Sequence, residues 1–308
     1  MRPRGAPRRG IMRKSKISIH FAGPIAKNHT IQLRTFTKTL GHIQASIDRA
    51  YLDIKTSGIV KNARLRRSDY GSTEFLMNQT REGGFIADLL GSDDDSGEIV
   101  KRIDGAVIPA YEQAQVPDQI ERENLIDQVE QRLINYKAGA QEPIPYQEFF
   151  DQVDARQTRA YGDRSIVKEF DQIASAIRAR EGDGSYVEIS LSAERALSTF
   201  VFDHRTSAAF HEVVSIRTLG DPVEIPITLR SLDSGNGGVS KAKALNLISK
   251  KEFNLHIHTD KGFSSLRGYL KKRNPVKFTI IACPIYEYGA FDRRAGDMYF
   301  IAILRDDS

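Results

Sequence analysis

Two groups of side chains in this sequence have the types and spacing to do chemistry. The first combines Lys241 and Lys243 with a downstream run that holds Tyr286, Tyr288, Phe291, Arg293 and Arg294. Aromatic rings stack on any base, and guanidinium and ammonium groups meet phosphates. This set points to nucleic acid or a nucleotide, with Tyr286, Tyr288 and Phe291 stacking and Lys241, Lys243, Arg293 and Arg294 on phosphates. The second group is histidine. His256 and His258 lie two apart in an alternating segment, so both project from one face of a strand. His204 and His211 precede them, and four imidazoles would suit a metal-dependent phosphoesterase.

The histidine reading meets two obstacles. An H-x-H hydrolase strand needs further ligands on later strands, yet the 50 residues after His258 contain no histidine. His204-Arg-Thr206 matches the H-x-T of two-histidine phosphoesterases, and the second such element that this chemistry requires is missing. Residues 91–97 form an acidic, glycine-bounded loop with Asp93, Asp94 and Asp95. It lacks the spaced ligands and closing glutamate of a calcium-binding loop and reads as a solvated turn. No phosphate-binding loop, nucleophile elbow, zinc-protease or dinucleotide signature occurs, so no cofactor is expected. Cys283, the one cysteine, sits in an apolar segment and reads as a buried thiol. It also excludes an internal disulfide.

These residues must be positioned by elements that the patterning marks. Ile17–Phe21 alternates as a strand. A helix follows over residues 31–54, with Asn28 or Thr30 available as its cap. Residues 63–68 and 72–79 read as a hairpin around Asp69-Tyr70-Gly71. Helical spacing marks segments near 98–115, 119–137, 146–158 and 164–180. After Gly182-Asp183-Gly184 the pattern turns to strands at 186–191, 199–203 and 212–218, with a short helix near 207–211. The final stretch reads strand 223–232, strand 241–247, strand 252–259, helix 263–272, strand 276–283 and strand 298–304. That β-β-β-α-β-β order fits an OB-like, or SH3-like, five-stranded small barrel. Its two longest connections, 233–238 and 286–297, are expected to share one rim around the ligand.

Charge is unevenly spread. Residues 1–16 carry seven cations and no acid, residues 222–308 carry 14 against 9, and the stretch between carries 24 against 31. The basic residues 1–16 read as a disordered tail, with Met12 as a second possible start. No apolar run is long enough to cross a bilayer or to serve as a secretory signal, so a cytoplasmic protein without a membrane partner is expected.

The opening Ile17-Ser-Ile-His-Phe-Ala-Gly23, the helix through Leu40-Gly41, Gly71-Ser72 and the later Leu229-Arg-Ser-Leu-Asp233 resemble a loosely defined family of uncharacterised bacterial and prophage proteins. The resemblance implies a strand–helix–hairpin front, a closing barrel and a setting in mobile-element biology or phage defence. It implies no catalytic residues. The sequence thus reads as an α+β protein with a tail (1–16), an N-terminal α/β unit (17–97), a helical middle (98–181), a β connector (182–221) and a barrel (222–308). The expected function is non-enzymatic binding of nucleic acid or a nucleotide by the barrel. The alternatives are assembly with a protein partner, or a homo-oligomer formed through the 98–180 helices, and the histidine phosphoesterase.

Overall fold

The structure, a computed structural model, describes residues 15–78, 84–93, 95–116, 124–152, 154–194, 196–235, 240–270 and 276–304. Residues 1–14, which hold Met12 and nearly all of the expected tail, lie outside the described residues, as do Asp94, Pro117 and Asn236. In chain order the elements are β1 (Lys16–Ala22), α1 (Leu33–Thr56), β2 (Phe75–Met77), β3 (Phe85–Gly91), α2 (Ser96–Ala114), α3 (Leu125–Lys137), β4 (Ile144–Pro145), α4 (Tyr146–Asp151), α5 (Tyr161–Arg178), β5 (Tyr186–Ser192), β6 (Ala196–Phe202), α6 (His204–Ser215), β7 (Arg217–Leu219), β8 (Val223–Asp233), β9 (Ser240–Asn246), β10 (Glu252–Ile257), α7 (Asp260–Arg267), β11 (Phe278–Glu287) and β12 (Met298–Leu304). The chain divides into two compact units, both discontinuous in sequence. One takes residues up to 58, 64–118 and 165–212; the other takes 59–63, 119–164 and 213–308. The helices of 98–181 therefore form no unit of their own, since α2 falls in the first and α3 and α4 in the second.

The first unit is built on a five-stranded antiparallel sheet in the order β2-β3-β1-β5-β6. The alternation of β1 is what makes it central. Ile17, Ile19 and Phe21 are fully buried, while Lys16, Ser18 and His20 turn to the other face. Ile43 and Ile47 of α1, Ile99 and Ile103 of α2, and Phe170 and Ile173 of α5 are buried at helical spacing. Each such side chain contributes roughly 1.5–3 kcal/mol of transfer free energy. The opposite face carries bonded polar groups. Ser18 donates to Asp88 at 2.6 Å, and Ser190 and Thr199 share a bond of 3.0 Å. The β6 edge is guarded: the Tyr111 hydroxyl donates to the Val201 carbonyl at 3.1 Å and accepts from its N–H at 3.0 Å.

Three expectations for this part of the chain are overturned. Residues 63–73 form no hairpin strand. The buried Asp69 carboxylate accepts from the Arg66 N–H at 3.1 Å and from Lys55, which folds the segment into 3-10 turns instead of a ladder. β2 then pairs with β3. The strand read at 212–218 is the end of α6 followed by the short β7. α1 starts at Leu33 without a side-chain cap, because Thr30 bonds back to the Lys27 carbonyl.

The second unit holds a closed five-stranded barrel. Its strands run β8-β9-β10-β12-β11, and β11 closes onto β8 with Ile280 opposite Ile225. All pairs are antiparallel except β10 and β12. The interior is filled by Val223, Ile225, Ile227, Ala244, Phe253, Leu255, Ile280 and Phe300. Tyr146 and Phe149 of α4 and Leu266 of α7 join the same cluster. α7 starts where Thr259 accepts from the Gly262 N–H at 3.1 Å. β11 runs four residues past its expected end at Cys283. Pro284 surrenders only a donor, and its carbonyl accepts from the Gly220 N–H at 2.8 Å. The outward positions Ile281, Cys283, Ile285, Tyr299 and Ile301 form a second cluster with Val129, Leu125 and Leu133 of α3. That helix covers the outside of β11 and β12. Among the described residues no helix is long and apolar enough to cross a membrane.

Candidate functional site

The segment between β11 and β12 is a packed cap and not an open binding loop. Tyr286, Tyr288 and Phe291 are only 1%, 4% and 5% exposed. Tyr286 and Phe291 lie 5.4 Å apart in the barrel core, and Phe291 meets Phe149 edge-on at 5.8 Å. The Tyr286 hydroxyl donates to Asp154 at 2.8 Å. Burial, with that bond, pushes its ionisation far upward. Tyr288 lies under the Arg159 guanidinium at 4.3 Å, and burial raises its phenol to about 12. Gly296 admits no side chain, since a Cβ there would stand 2.3 Å from the Phe291 ring. These rings cannot stack on a base without dismantling the core, so their expected role is corrected. Arg293 is half-buried and already engaged. Its side chain donates to the Phe150 carbonyl at 3.0 Å and to Gln157 at 3.2 Å, and its carbonyl accepts from Tyr146.

The two long connections do not share a rim. Lys241, at the start of β9, pairs with Asp233 at the end of β8. At the other end of β9, the turn into β10 is tied to the cap, because the Ser249 hydroxyl donates to the Arg294 carbonyl at 2.9 Å. The first leaves β8 at the Lys241 end of β9 and the second is tied to the Asn246 end, while Asp297, where the second enters β12, comes back beside His256.

Lys241, Lys243 and Arg294 are exposed. The burial alternation of β9 sends Ala242 and Ala244 inward and both lysines outward. Opposite them on β10, Phe253, Leu255 and Ile257 point in, so Asn254 and His256 point out. In register, Lys241 faces His256 and Lys243 faces Asn254. The turn between the strands is held by Asn246, whose side chain accepts from the N–H groups of Ile248 at 2.8 Å and Ser249 at 3.1 Å. That turn presents exposed Lys250 and Lys251, with Lys250 in the left-handed region at φ 58°. The Ser249–Arg294 bond brings Arg294 to the same end. A strip of cations thus runs from Arg294, Lys250 and Lys251 along β9 through Lys243 to Lys241. Among the described residues none of the five forms an ion pair with a carboxylate, whereas Arg230 pairs with Glu252 at 3.7 Å.

Among the described residues three carboxylates border this face: Asp233, in register with Lys241, Glu252 on the outward side of β10, and Asp297. Asp297 accepts from Asn254 at 3.0 Å and binds the Lys61 ammonium, and His256 Nε2 stands 3.8 Å away. Burial alone would raise its pKa, but His256 and Lys61 outweigh it and hold the carboxyl well below its usual range. His256 also stacks on Tyr299 at 6.1 Å. The sequence pattern placed Asn254, Lys250 and Lys251 in no site and marked His256 only as a metal ligand. The period of two shared by β9 and β10 puts Asn254 and His256 on the face of Lys241 and Lys243, while Lys250 and Lys251 lie in the turn between the strands.

The four candidate histidines fall two in each unit. His256 is engaged with Asp297, and His258 lies 3.7 Å from Glu130 of α3. His211 Nδ1 is bonded to Asp171 at 3.1 Å in the other unit, where His204 opens α6. Among the described residues no three His, Cys, Asp or Glu side chains gather as metal ligands. In the acidic loop, Asp93 accepts from the Asp95 N–H at 2.7 Å, as a turn residue does. Comparison of the chain with protein-family models, curated proteins and solved structures finds no match.

Proposed function

We propose that this protein binds nucleic acid through the phosphate backbone, on the outer face of β9 and β10, without catalysing a reaction. The observation that carries the reading is the strip of five exposed cations, in no ion pair among the described residues, on the half of the barrel that α3 leaves open. Lys241 and Lys243 repeat every ~6.8 Å along the strand, a spacing suited to successive phosphates of an extended chain. The strand order, the parallel β10–β12 pair and the helix before β11 support an OB-type barrel, in which the second and third strands carry the ligand. With the rings buried, affinity comes from charge, and sequence discrimination is weak.

The test is fluorescence anisotropy of a labelled 20-nucleotide single strand over a range of salt concentrations. Affinity should fall steeply with salt, each phosphate contact adding about 0.7 to the log–log slope. Absence of binding at 50 mM salt, or binding that ignores salt, would refute the reading. One observation favours assembly with a protein partner as a second reading: Ile126 and Ile134 are exposed on the outer side of α3. It predicts an oligomer that persists at high salt, measured by light scattering after gel filtration.

A further inference from the structure

We infer that His256 makes this face pH-responsive, adding a conditional positive charge to the lysine strip so that nucleic acid is held more tightly below neutral pH. The inference rests on the phosphate-binding reading above. Histidine is the side chain whose ordinary charge change falls between about pH 5 and 8. His256 projects from the same face as Lys241 and stands directly opposite it in the β9–β10 register.

The groups around the ring come from five elements besides its own strand. Lys241 and Lys243 of β9 bring positive charge to the face. Asp233 of β8, in register with Lys241, and Glu252 on the outward side of β10 bring negative charge. The Asp297 carboxylate stands 3.8 Å from Nε2 on the segment that enters β12. Tyr299 of β12 supplies a stacked ring face at 6.1 Å. Lys61 binds the same Asp297 carboxylate from the 59–63 segment and competes for its charge. His258, next along the strand on that side, is turned to Glu130 of α3 and not to the lysines. An imidazolium at His256 therefore sits among the cations Lys241 and Lys243 and the carboxylates of Asp297, Asp233 and Glu252. A bound phosphate chain beside Lys241 tips that balance. It neutralises the repulsion from β9 and favours the protonated ring, and by linkage the protonated ring favours the phosphate chain.

The experiment is the same anisotropy titration on the full chain, at pH 5.5 and pH 8.0, each over a salt series. The wild-type protein should bind about fourfold more tightly at pH 5.5 near 0.15 M salt, with the log–log slope steeper by up to about 0.7, as one added phosphate contact gives. His256→Gln should make affinity and slope the same at both pH values. His256→Lys should give the steep slope at both. His258→Gln should retain the wild-type pH dependence. The inference is overturned if wild-type affinity and slope do not change with pH, or if His256→Gln keeps the change. If no variant binds at either pH, the phosphate-binding reading fails instead, so the two failures are distinguishable. Should His256→Gln not fold, the His256→Lys and wild-type slopes decide alone.

Discussion

The outside of the barrel has two halves that obey the same alternation and come to opposite ends. On β11 and β12 the outward residues are Ile281, Cys283, Ile285, Tyr299 and Ile301, and α3 lies over them. On β9 and β10 the outward residues include Lys241, Lys243, Leu245, Glu252, Asn254 and His256, and both lysines remain exposed. Of the aromatic side chains of the long connection, Tyr286 and Phe291 went into the core and Tyr288 is buried beneath Arg159. A ring that buries 150–250 Å² gains more from packing than from waiting for a ligand, unless the fold denies it a cavity. Cations show the reverse preference. Ring content near basic residues therefore did not foretell exposure here, whereas cations placed two apart on a strand did.

The largest expected effects lie on the buried side. Phe291→Ala should cost about 3–5 kcal/mol of stability, measured by denaturant unfolding, because it empties the centre of the cap. Gly296→Ala should be comparably damaging, since the new methyl meets the Phe291 ring and the Asp292 carbonyl. If either variant keeps wild-type stability while losing nucleic-acid affinity, the ring is a ligand contact and the contrast between the halves is wrong.

Next comes the open face. Lys241→Ala with Lys243→Ala should weaken oligonucleotide binding about tenfold near 0.15 M salt and lower the slope by about 1.4. Its stability should stay within about 0.5 kcal/mol of wild type, as expected of exposed positions. The same pair of changes thus separates binding from folding, which no substitution in the cap can do.

Asp297 lies where the two halves meet, and pH probes it. Its folded-state carboxyl is held below the ordinary carboxylate range, so its contribution is present above about pH 4–5 and is lost as pH falls toward its lowered pKa. Asp297→Asn should destabilise by about 2 kcal/mol at pH 7, the scale of a charge-assisted bond. The gap to wild type should close toward pH 2, followed by thermal melting across the range. On the covered side, Cys283 offers a simpler check. Burial pushes its thiol up to about 12, so iodoacetamide at pH 8 should leave it unmodified until the protein is unfolded.

How much of this was legible in the sequence follows from where local and tertiary preferences agree. The barrel strands 223–233, 240–246, 252–257 and 298–304 were readable because β-branched alternation, turn residues and burial all coincide there. The segment 63–73 misled because Arg64, Leu65 and Arg66 alternate like a strand, while a single carboxylate, Asp69, captures the backbone and the Lys55 ammonium. Val213 and Val214 read as strand because of their branching, yet they are buried at the end of α6. Of the candidate site, Lys241, Lys243 and Arg294 keep the exposure that the proposed role requires. Tyr286, Tyr288 and Phe291 do not, and Arg293 is half-buried, since residue type alone cannot report which connection will be packed down.

The smallest expected effect is also the most specific to the open half. Glu252 is exposed on β10 and pairs with Arg230 at 3.7 Å, an arrangement worth little to stability in water. Its charge nevertheless lies beside Lys250 and Lys251 and opposes any anion approaching the strip. Glu252→Gln should leave unfolding within about 0.5 kcal/mol of wild type. It should tighten oligonucleotide binding about twofold at 50 mM salt, an effect that fades by 0.5 M as the Debye length shrinks below about 5 Å. A loss of affinity would mean that Glu252 contacts the ligand as an acceptor. The face would then read base edges instead of phosphates, and the distinction between a charged, open half and an apolar, covered one would have to be redrawn around hydrogen bonding.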